Sequence, residues 1–249
     1  MISVCIPTYN GEKYIKEQLE SILGQLSVED EVIISDDCSS DQTLKIIESF
    51  HDNRIKVFIH CKERNFYIGT YYRIYNVFLN MKNALSKASG DFIFLSDQDD
   101  IWLPNKVKNV MAVFREGYDC VMHDCSVVNE HYEVLLSSIF RYTKPNYSWI
   151  RFVLFNFYQG SLMAFTAPMK KMLFPMPQLP IGHEHWIASI IWTHGRNVKY
   201  LREPLMLYRR HGNNVSSCAE KSSTSFFFKV SYRFLLLYTI IRAFFRKCK

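Results

Sequence analysis

The sequence predicts an α/β fold in which a mainly parallel sheet is flanked by helices. Three observations predict it. Short apolar runs alternate with segments whose apolar residues recur every three or four positions, the pattern of successive βαβ units. Three of those runs end in polar clusters, Tyr9-Asn10, Asp36-Asp37 and Asp97-Gln98-Asp99, and open parallel sheets bind ligands outside the carboxyl ends of their strands. With 249 residues, 48% hydrophobic and 22% charged, the chain can bury a substantial core as one domain with a small appendage.

The elements follow in order. Ile2 to Ile6 forms a first strand, which Pro7-Thr8-Tyr9-Asn10-Gly11 ends. Ile15, Leu19, Ile22, Leu23 and Leu26 then line one face of a helix. Val32 to Ser35 is a second strand. Beyond it Ser39 and Gln42 have capping-box spacing, ahead of a helix with Leu44, Ile47 and Phe50 inside. Ile55 to Ile59 and Phe92 to Leu95 are the third and fourth strands, and Val107, Val110, Met111 and Phe114 mark a helix starting near Pro104. The aromatic-rich middle holds strands at Cys120-Val121-Met122 and Ser161 to Thr166. Pro175-Met176-Pro177-Gln178-Leu179-Pro180 is an extended connection, because three prolines in six positions do not fit inside a helix. A helix then opens at Gly182-His183-Glu184-His185-Trp186. No boundary precedes residue 215, so the expected division is a domain over 1–215 and a tail over 216–249.

Charge separates these two parts. The net charge is +6, yet Phe226 to Lys249 contains six basic residues and no acidic one, so the body is balanced at 24 basic against 24 acidic residues. Nucleic-acid binding by the body therefore has no electrostatic support. The seven cysteines are odd in number and form no Cys-x-x-Cys pair, which argues against a zinc site or disulfide framework and for a reducing compartment. The N-terminus opens directly into an apolar strand without the basic region of a signal peptide, which predicts a cytoplasmic protein.

Asp97, Asp99 and Asp100 crowd three carboxylates into four positions after an apolar run. Like charges so close call for a cation. Mg²⁺ or Mn²⁺ suits them, since both ions take oxygen ligands and complete their shells with substrate phosphates and water. The competing reading is a solvated acidic turn capping the next helix.

Four segments together resemble family 2 glycosyltransferases, and within them the bacterial rhamnosyltransferase-like branch. They are Ile2 to Gly11, Ile34 to Asp41, Ser89 to Trp102 and Tyr208-Arg209-Arg210-His211-Gly212-Asn213-Asn214-Val215-Ser216, in the expected order. The resemblance implies a GT-A fold, Rossmann-like in its sheet, and a nucleoside-diphosphate sugar donor bound by the N-terminal half. It places Pro7, Thr8, Tyr9, Asn10, Glu12, Asp36, Asp37, Asp97, Gln98 and Trp102 around that donor, with Asp36 or Asp37 accepting from the base. Asp99, joined by Asp97 and His211, would hold Mn²⁺ or Mg²⁺ against the diphosphate, which Arg209 and Arg210 would also meet. One departure stands at Arg64-Asn65-Phe66-Tyr67-Ile68-Gly69, where the family carries a tighter Asn-x-Gly turn.

Inverting transfer also needs a base beside the acceptor hydroxyl. Glu184 occupies the place of an aspartate in the family's His-Asp-Trp-Trp pattern, and adjacent His183 and His185 read as packing residues. Gln159, Gly160 and Ser161 face the acceptor, while His123-Asp124 gives a weaker signal. The expected activity is transfer of a sugar, with rhamnose as the branch's donor, to a glycan or lipid-linked glycan acceptor in surface-polysaccharide synthesis. The alternatives are a sugar-nucleotide nucleotidyltransferase and a non-catalytic glycan-binding module. In the tail, Phe226, Phe227, Val230, Phe234, Leu237, Ile241 and Phe244 recur at helical spacing among basic residues. Its uninterrupted apolar stretch, Phe234 to Ile241, is far short of the roughly 20 residues a span requires. The expectation is a basic amphipathic helix on an anionic membrane, at the inner face of the cell membrane; the alternative is a helix docked on the body.

Overall fold

The computed structural model describes residues 1–60, 66–145, 148–154, 157–212 and 224–246. Its first half runs β1 (Ile2–Thr8), α1 (Ile15–Leu23), β2 (Glu31–Asp36), α2 (Thr43–Glu48), β3 (Ile55–Ile59), α3 (Gly69–Lys87) and β4 (Phe92–Leu95). The second half continues with β5 (Ile101–Trp102), α4 (Lys106–Arg115), β6 (Cys120–Val128), β7 (Val134–Leu136), α5 (Ile139–Thr143), α6 (Trp149–Leu154), β8 (Met163–Thr166), α7 (Ala167–Leu173), α8 (His183–Thr193), β9 (Val198–Arg209) and α9 (Phe226–Phe244). The strands form one sheet in the order β3-β2-β1-β4-β8-β6-β9-β5, with β7 added to β6. The first four pair in parallel, as expected from the βαβ pattern, and β8 then joins β4 antiparallel.

Burial on both faces explains the near-continuous apolar runs. Every residue of β2 is buried, and Val4, Cys5 and Ile6 of β1 are inaccessible. Register aligns the strand ends: Thr8 lies opposite Asp36, and Cys5 opposite Leu95. The polar clusters after β1, β2 and β4 therefore meet at one edge.

Strand β1 runs two residues beyond its expected end, through Pro7. Odd positions of β1 bond toward β4, as Cys5 O accepts from Ser96 N–H, whereas Thr8 O accepts from Asp37 N–H on the β2 side. Pro7 faces the side where the β4 ladder has already stopped, so its missing donor costs no strand bond. The predicted strand over Ser161 to Thr166 begins later, after a 3-10 turn at Gly160–Leu162. The expected Ser39/Gln42 capping box is replaced: Ser39 donates its N–H and hydroxyl to Asp36, and Asp41 receives the N–H and hydroxyl of Thr43. A carboxylate is the stronger acceptor for these donors.

Helix α9 packs against α8, burying Leu236, Thr239 and Ala243. Arg246 extends the contact by donating to the carbonyls of Leu173 and Phe174 while stacking over Trp186. The expected boundary at 215/216 and the residues Asn213 to Ser216 lie outside the described residues, as do Arg64-Asn65, Lys247 and Lys249. No described helix is long and apolar enough to cross a membrane.

Candidate active site

The loop after β1 is tied to its neighbours before any ligand is considered. Thr8 is buried and donates its hydroxyl to Asp36 Oδ2 at 2.7 Å. Asn10, left-handed at φ 48°, donates its N–H to Ser39 Oγ and accepts from Ser40 N–H. Glu12 accepts from Gln42 N–H, and Gln98 clasps the Tyr9 backbone, accepting from its N–H at 2.9 Å and donating to its carbonyl at 3.1 Å. A side chain on Gly11 would sit 2.5 Å from that Gln98 amide, so the clasp requires glycine there. Tyr9 itself remains about half exposed, its ring open to the cleft edge.

This wiring separates the two aspartates that the sequence left equivalent. Asp36 is inaccessible and receives Thr8 and both donors of Ser39. Asp37 pairs through Oδ1 with His60 Nδ1 at 3.0 Å. Trp102 is buried, its indole N–H donates to Ser96 Oγ, and its ring packs on Phe94.

Asp97, Asp99 and Asp100 divide their surroundings. Asp100 is inaccessible and accepts from Arg209 N–H at 3.3 Å. Asp99 Oδ2 lies 2.8 Å from His211 Nε2, and Tyr14 stacks on the imidazole with ring centres 4.7 Å apart. Burial raises the Asp97 carboxyl to about pH 7 in pKa, and the Asp99 and Glu184 charges push the same way. Burial likewise holds Asp100 well above the usual carboxylate range, helped by Asp99 and Asp97.

Beneath them sits Lys106, which the sequence reading missed. It is buried, with Nζ 4.1 Å from the centre of the Trp102 ring and 3.4 Å from Ser161 O. Burial pulls its pKa down to about 7, against the opposing charges of Asp100 and Asp97. A lysine at the start of a helix, two residues after Pro104, carries no local sign of burial; only its place in the fold marks it out.

Arg209, expected beside a diphosphate, pairs within the protein. Its Nη2 is 2.6 Å from Glu17 Oε2, and the guanidinium lies between the rings of Tyr14 and Tyr132 at 5.0 and 5.1 Å. Arg210 is half-buried at the end of β9, next to His211. Asp124 is an organiser of local structure: it accepts from Cys125 N–H, Phe140 N–H and Ser138 Oγ, fixing the start of α5.

Across the cleft, Glu184 stands in the first turn of α8 between two buried histidines. His185 Nδ1 is 3.2 Å from Oε1 and His183 Nδ1 3.7 Å from Oε2. Burial alone would raise the Glu184 carboxyl; His185 and His183 outweigh it and hold it at about 2, so the group is ionised at neutral pH. Two glycines make room for this arrangement. A Cβ on Gly160 would lie 2.0 Å from His183 Nε2, and one on Gly182 would lie 2.1 Å from Glu184 Oε1. Ser161 is inaccessible, and its hydroxyl lies close enough to Asp97 to favour the ionised carboxylate.

The fit to a divalent cation rests on donor chemistry. Asp97 and Asp99 repel each other, and Asp99 with His211 supplies an oxygen and a nitrogen donor side by side. Among the described residues no three His, Cys, Asp or Glu side chains form a ready-made metal cluster. The chain thus offers part of a coordination shell, of the kind that substrate phosphates complete.

Residues 3–170 match the model of glycosyl transferase family 2, about two thirds of the chain. The chain belongs to that family. It is 28% identical over 222 residues to the dTDP-rhamnosyl transferase RfbG of Shigella flexneri, covering 83% of this chain and 72% of that protein. It is 32% identical over 131 residues to the GalNAc(5)-diNAcBac-PP-undecaprenol beta-1,3-glucosyltransferase of Campylobacter jejuni, covering 52% of this chain and 39% of that one. Among solved structures, Staphylococcus aureus TarS 1-349 in complex with UDP-GlcNAc superposes with a TM-score of 0.67 at 23% identity, over 95% of this chain and 66% of that one. The mannosyltransferase PcManGT from Pyrobaculum calidifontis, in complex with GDP-Man and Mn²⁺, gives 0.61 at 15% identity, over 97% and 73%. At these identities the structural likeness establishes the GT-A fold of this glycosyltransferase.

Proposed function

We propose that this family 2 transferase moves a sugar from a nucleoside-diphosphate donor to a glycan or lipid-linked glycan acceptor, with inversion at the transferred carbon. The observation that carries this reading is the joining of the β4 and β9 exits, where His211 Nε2 lies 2.8 Å from Asp99 Oδ2 beside Asp97, a carboxyl that the nearby Asp99 and Glu184 charges push up further. On the donor side, Tyr9 offers a half-exposed ring and Asp37 a carboxylate for the base. Pro7, Thr8, Asn10, Glu12, Asp36 and Gln98 hold the loop that shapes this pocket. Asp99, Asp97 and His211 would hold Mn²⁺ or Mg²⁺, which neutralises the departing diphosphate. Arg210 lies beside that position and supplies a guanidinium for phosphate oxygens.

Glu184 takes the proton of the attacking hydroxyl. It is ionised at neutral pH, and the buried ring of His183 and the wall of His185 keep bulk water from one side of it. Lys106 counters the summed charge of Asp97 and Asp100 from below, which keeps the acidic cluster compatible with burial.

The likeness to RfbG makes dTDP-rhamnose the first donor to test, and the undecaprenol-linked substrate in the name of the Campylobacter relative supports a lipid-linked acceptor. The outer side of α9 supports a membrane partner. Phe227, Phe234, Tyr238, Ile241, Phe244 and Phe245 are all exposed, and at 3.6 residues per turn they fall within a sector of about 120°. Lys229 and Arg242 are exposed at its borders. An apolar stripe bordered by cations suits the inner, anionic face of a membrane, with the 1–215 domain above it in the cytoplasm.

A donor screen with purified protein and Mn²⁺ or Mg²⁺ tests the activity. Expected is metal-dependent release of nucleoside diphosphate with one sugar nucleotide; no binding or turnover with any would overturn the reading. Glu184→Gln should abolish transfer while donor binding survives.

A further inference from the structure

The inner side of α9 reaches the proposed base. Tyr232, on the face opposite the exposed stripe, places its hydroxyl 3.1 Å from Gly182 N and 3.3 Å from His185 Nδ1. Gly182 is the residue that caps α8, and His185 Nδ1 is also 3.2 Å from Glu184 Oε1. The ring of Tyr232 packs against Phe228, at 5.5 Å, and Tyr71 of α3, at 6.4 Å, and meets the His185 ring edge-on at 5.5 Å. A side chain from the last helix therefore closes a polar triangle whose other corners are the cap of α8 and the partner of Glu184.

Proton placement gives the triangle a direction. His185 Nε2 is buried with no partner among the described residues, so a proton there would be an unpaired buried donor. The proton belongs on Nδ1, where Glu184 Oε1 and the Tyr232 oxygen both accept it. Tyr232 also accepts from Gly182 N–H, one of the α8 backbone donors that lack a partner within the helix. Its oxygen thus receives two donors, one fixing the helix start and the other fixing the imidazole.

We propose that Tyr232 is a positioning residue: through Gly182 and His185 it fixes the start of α8 and the His185 ring, and with them the orientation of the Glu184 carboxylate, making the C-terminal helix part of the acceptor half of the site. This rests on the reading of Glu184 as the base. Helix α9 then has two working faces, an outer one for the membrane and an inner one for the base. The arrangement joins two sequence segments 47 residues apart that share no motif.

The test compares wild type, Tyr232→Phe and Glu184→Gln as full-length protein. Phenylalanine keeps the ring contacts with Phe228 and Tyr71 and removes only the hydroxyl. Long-range ¹H–¹⁵N spectra of ¹⁵N-histidine protein, with His185 assigned by loss of its signals in His185→Gln, report the tautomer without any substrate. Expected are an Nδ1–H tautomer in wild type, the same tautomer with displaced His185 ¹⁵N signals in Tyr232→Phe as one of the two acceptors at Nδ1 is lost, and a fall in kcat of roughly ten- to a hundredfold, with donor KM within about twofold. An Nε2–H tautomer in wild type overturns the proposal. So does a Tyr232→Phe protein whose spectrum or kcat matches wild type, or whose loss lies in donor KM alone. Full transfer by Glu184→Gln would instead remove the base assignment, an outcome the tautomer measurement does not depend on.

Discussion

His211 Nε2 lies 2.8 Å from Asp99 Oδ2, although 112 positions separate them in the chain. Tyr14 stacks on the imidazole, and the Tyr14 hydroxyl donates to Glu130, so the ring is held from the side away from the acid. The pair brings the exit of β9 onto the exit of β4. That closure converts an acidic strand end into one wall of a cleft.

Replacing Asp99 with Asn keeps the shape and removes the charge. Transfer should fall by about 10²–10³, and metal-dependent nucleotide affinity should fall with it. Titration of Mn²⁺ into wild type and variant with UDP or dTDP present measures the second effect. Equal metal dependence in both would contradict the role given to Asp99.

Gly182→Ala and Gly160→Ala should fail in different ways. The Gly182 Cβ would meet the carboxylate of Glu184, the far end of a flexible side chain, which can swing aside. That variant should lose kcat with little change in melting temperature. The Gly160 Cβ would meet the rigid, buried ring of His183, and overpacking there should cost about 1–3 kcal/mol. Thermal denaturation beside turnover separates the two, and equal melting points for both variants would refute the distinction.

Glu31 predicts a pH-dependent stability. Burial raises its pKa, but Lys56, Ser3 and Ser89 donate to it and outweigh that effect, lowering the group from 4.5 to about 2. A carboxyl depressed in the folded state contributes stability that is full above pH 4.5 and is lost as pH falls toward 2. Glu31→Gln should therefore destabilise the protein at pH 7 by about 1.5–3 kcal/mol. The difference in melting temperature from wild type should shrink between pH 4.5 and 2. A difference independent of pH would show that packing, not charge, is what Glu31 provides.

The outer face of α9 should bind anionic vesicles. Deleting the helix is a poor test, because Leu236, Thr239 and Ala243 are buried against the body. Phe227→Ser, Phe234→Ser and Phe245→Ser together change only exposed side chains. Sedimentation with phosphatidylglycerol vesicles should show at least about a tenfold loss of binding, since each buried aromatic contributes on the order of 1.5–3 kcal/mol. Undiminished binding would remove this face from the membrane, and a change in mass by light scattering would assign it to a second copy of the chain.

How far the site was legible depended on the range of the forces that build it. The alternation of apolar runs located β1 to β4, since in-out periodicity is a local property. Asp97, Asp99 and Glu184 were legible because each sits in a short pattern at a strand end or helix start. Asp36 and Asp37 looked alike because neighbours in sequence share a context; Thr8 and Ser39 took one, and His60 the other. Nothing local to Arg209 signals its pairing with Glu17, 192 positions earlier. Lys106 and Tyr232 carry no local pattern that singles them out.

By itself, then, the chain determined strands β1 to β4, its family and the carboxylates at its strand ends, because hydrophobic periodicity and short polar motifs act within a few residues. Tertiary structure alone decided which of those charges face the cleft, that Lys106 lies under them, and that α9 docks beside Glu184. Those outcomes depend on which distant groups share a low-dielectric volume, where pairing and burial compete over the whole fold.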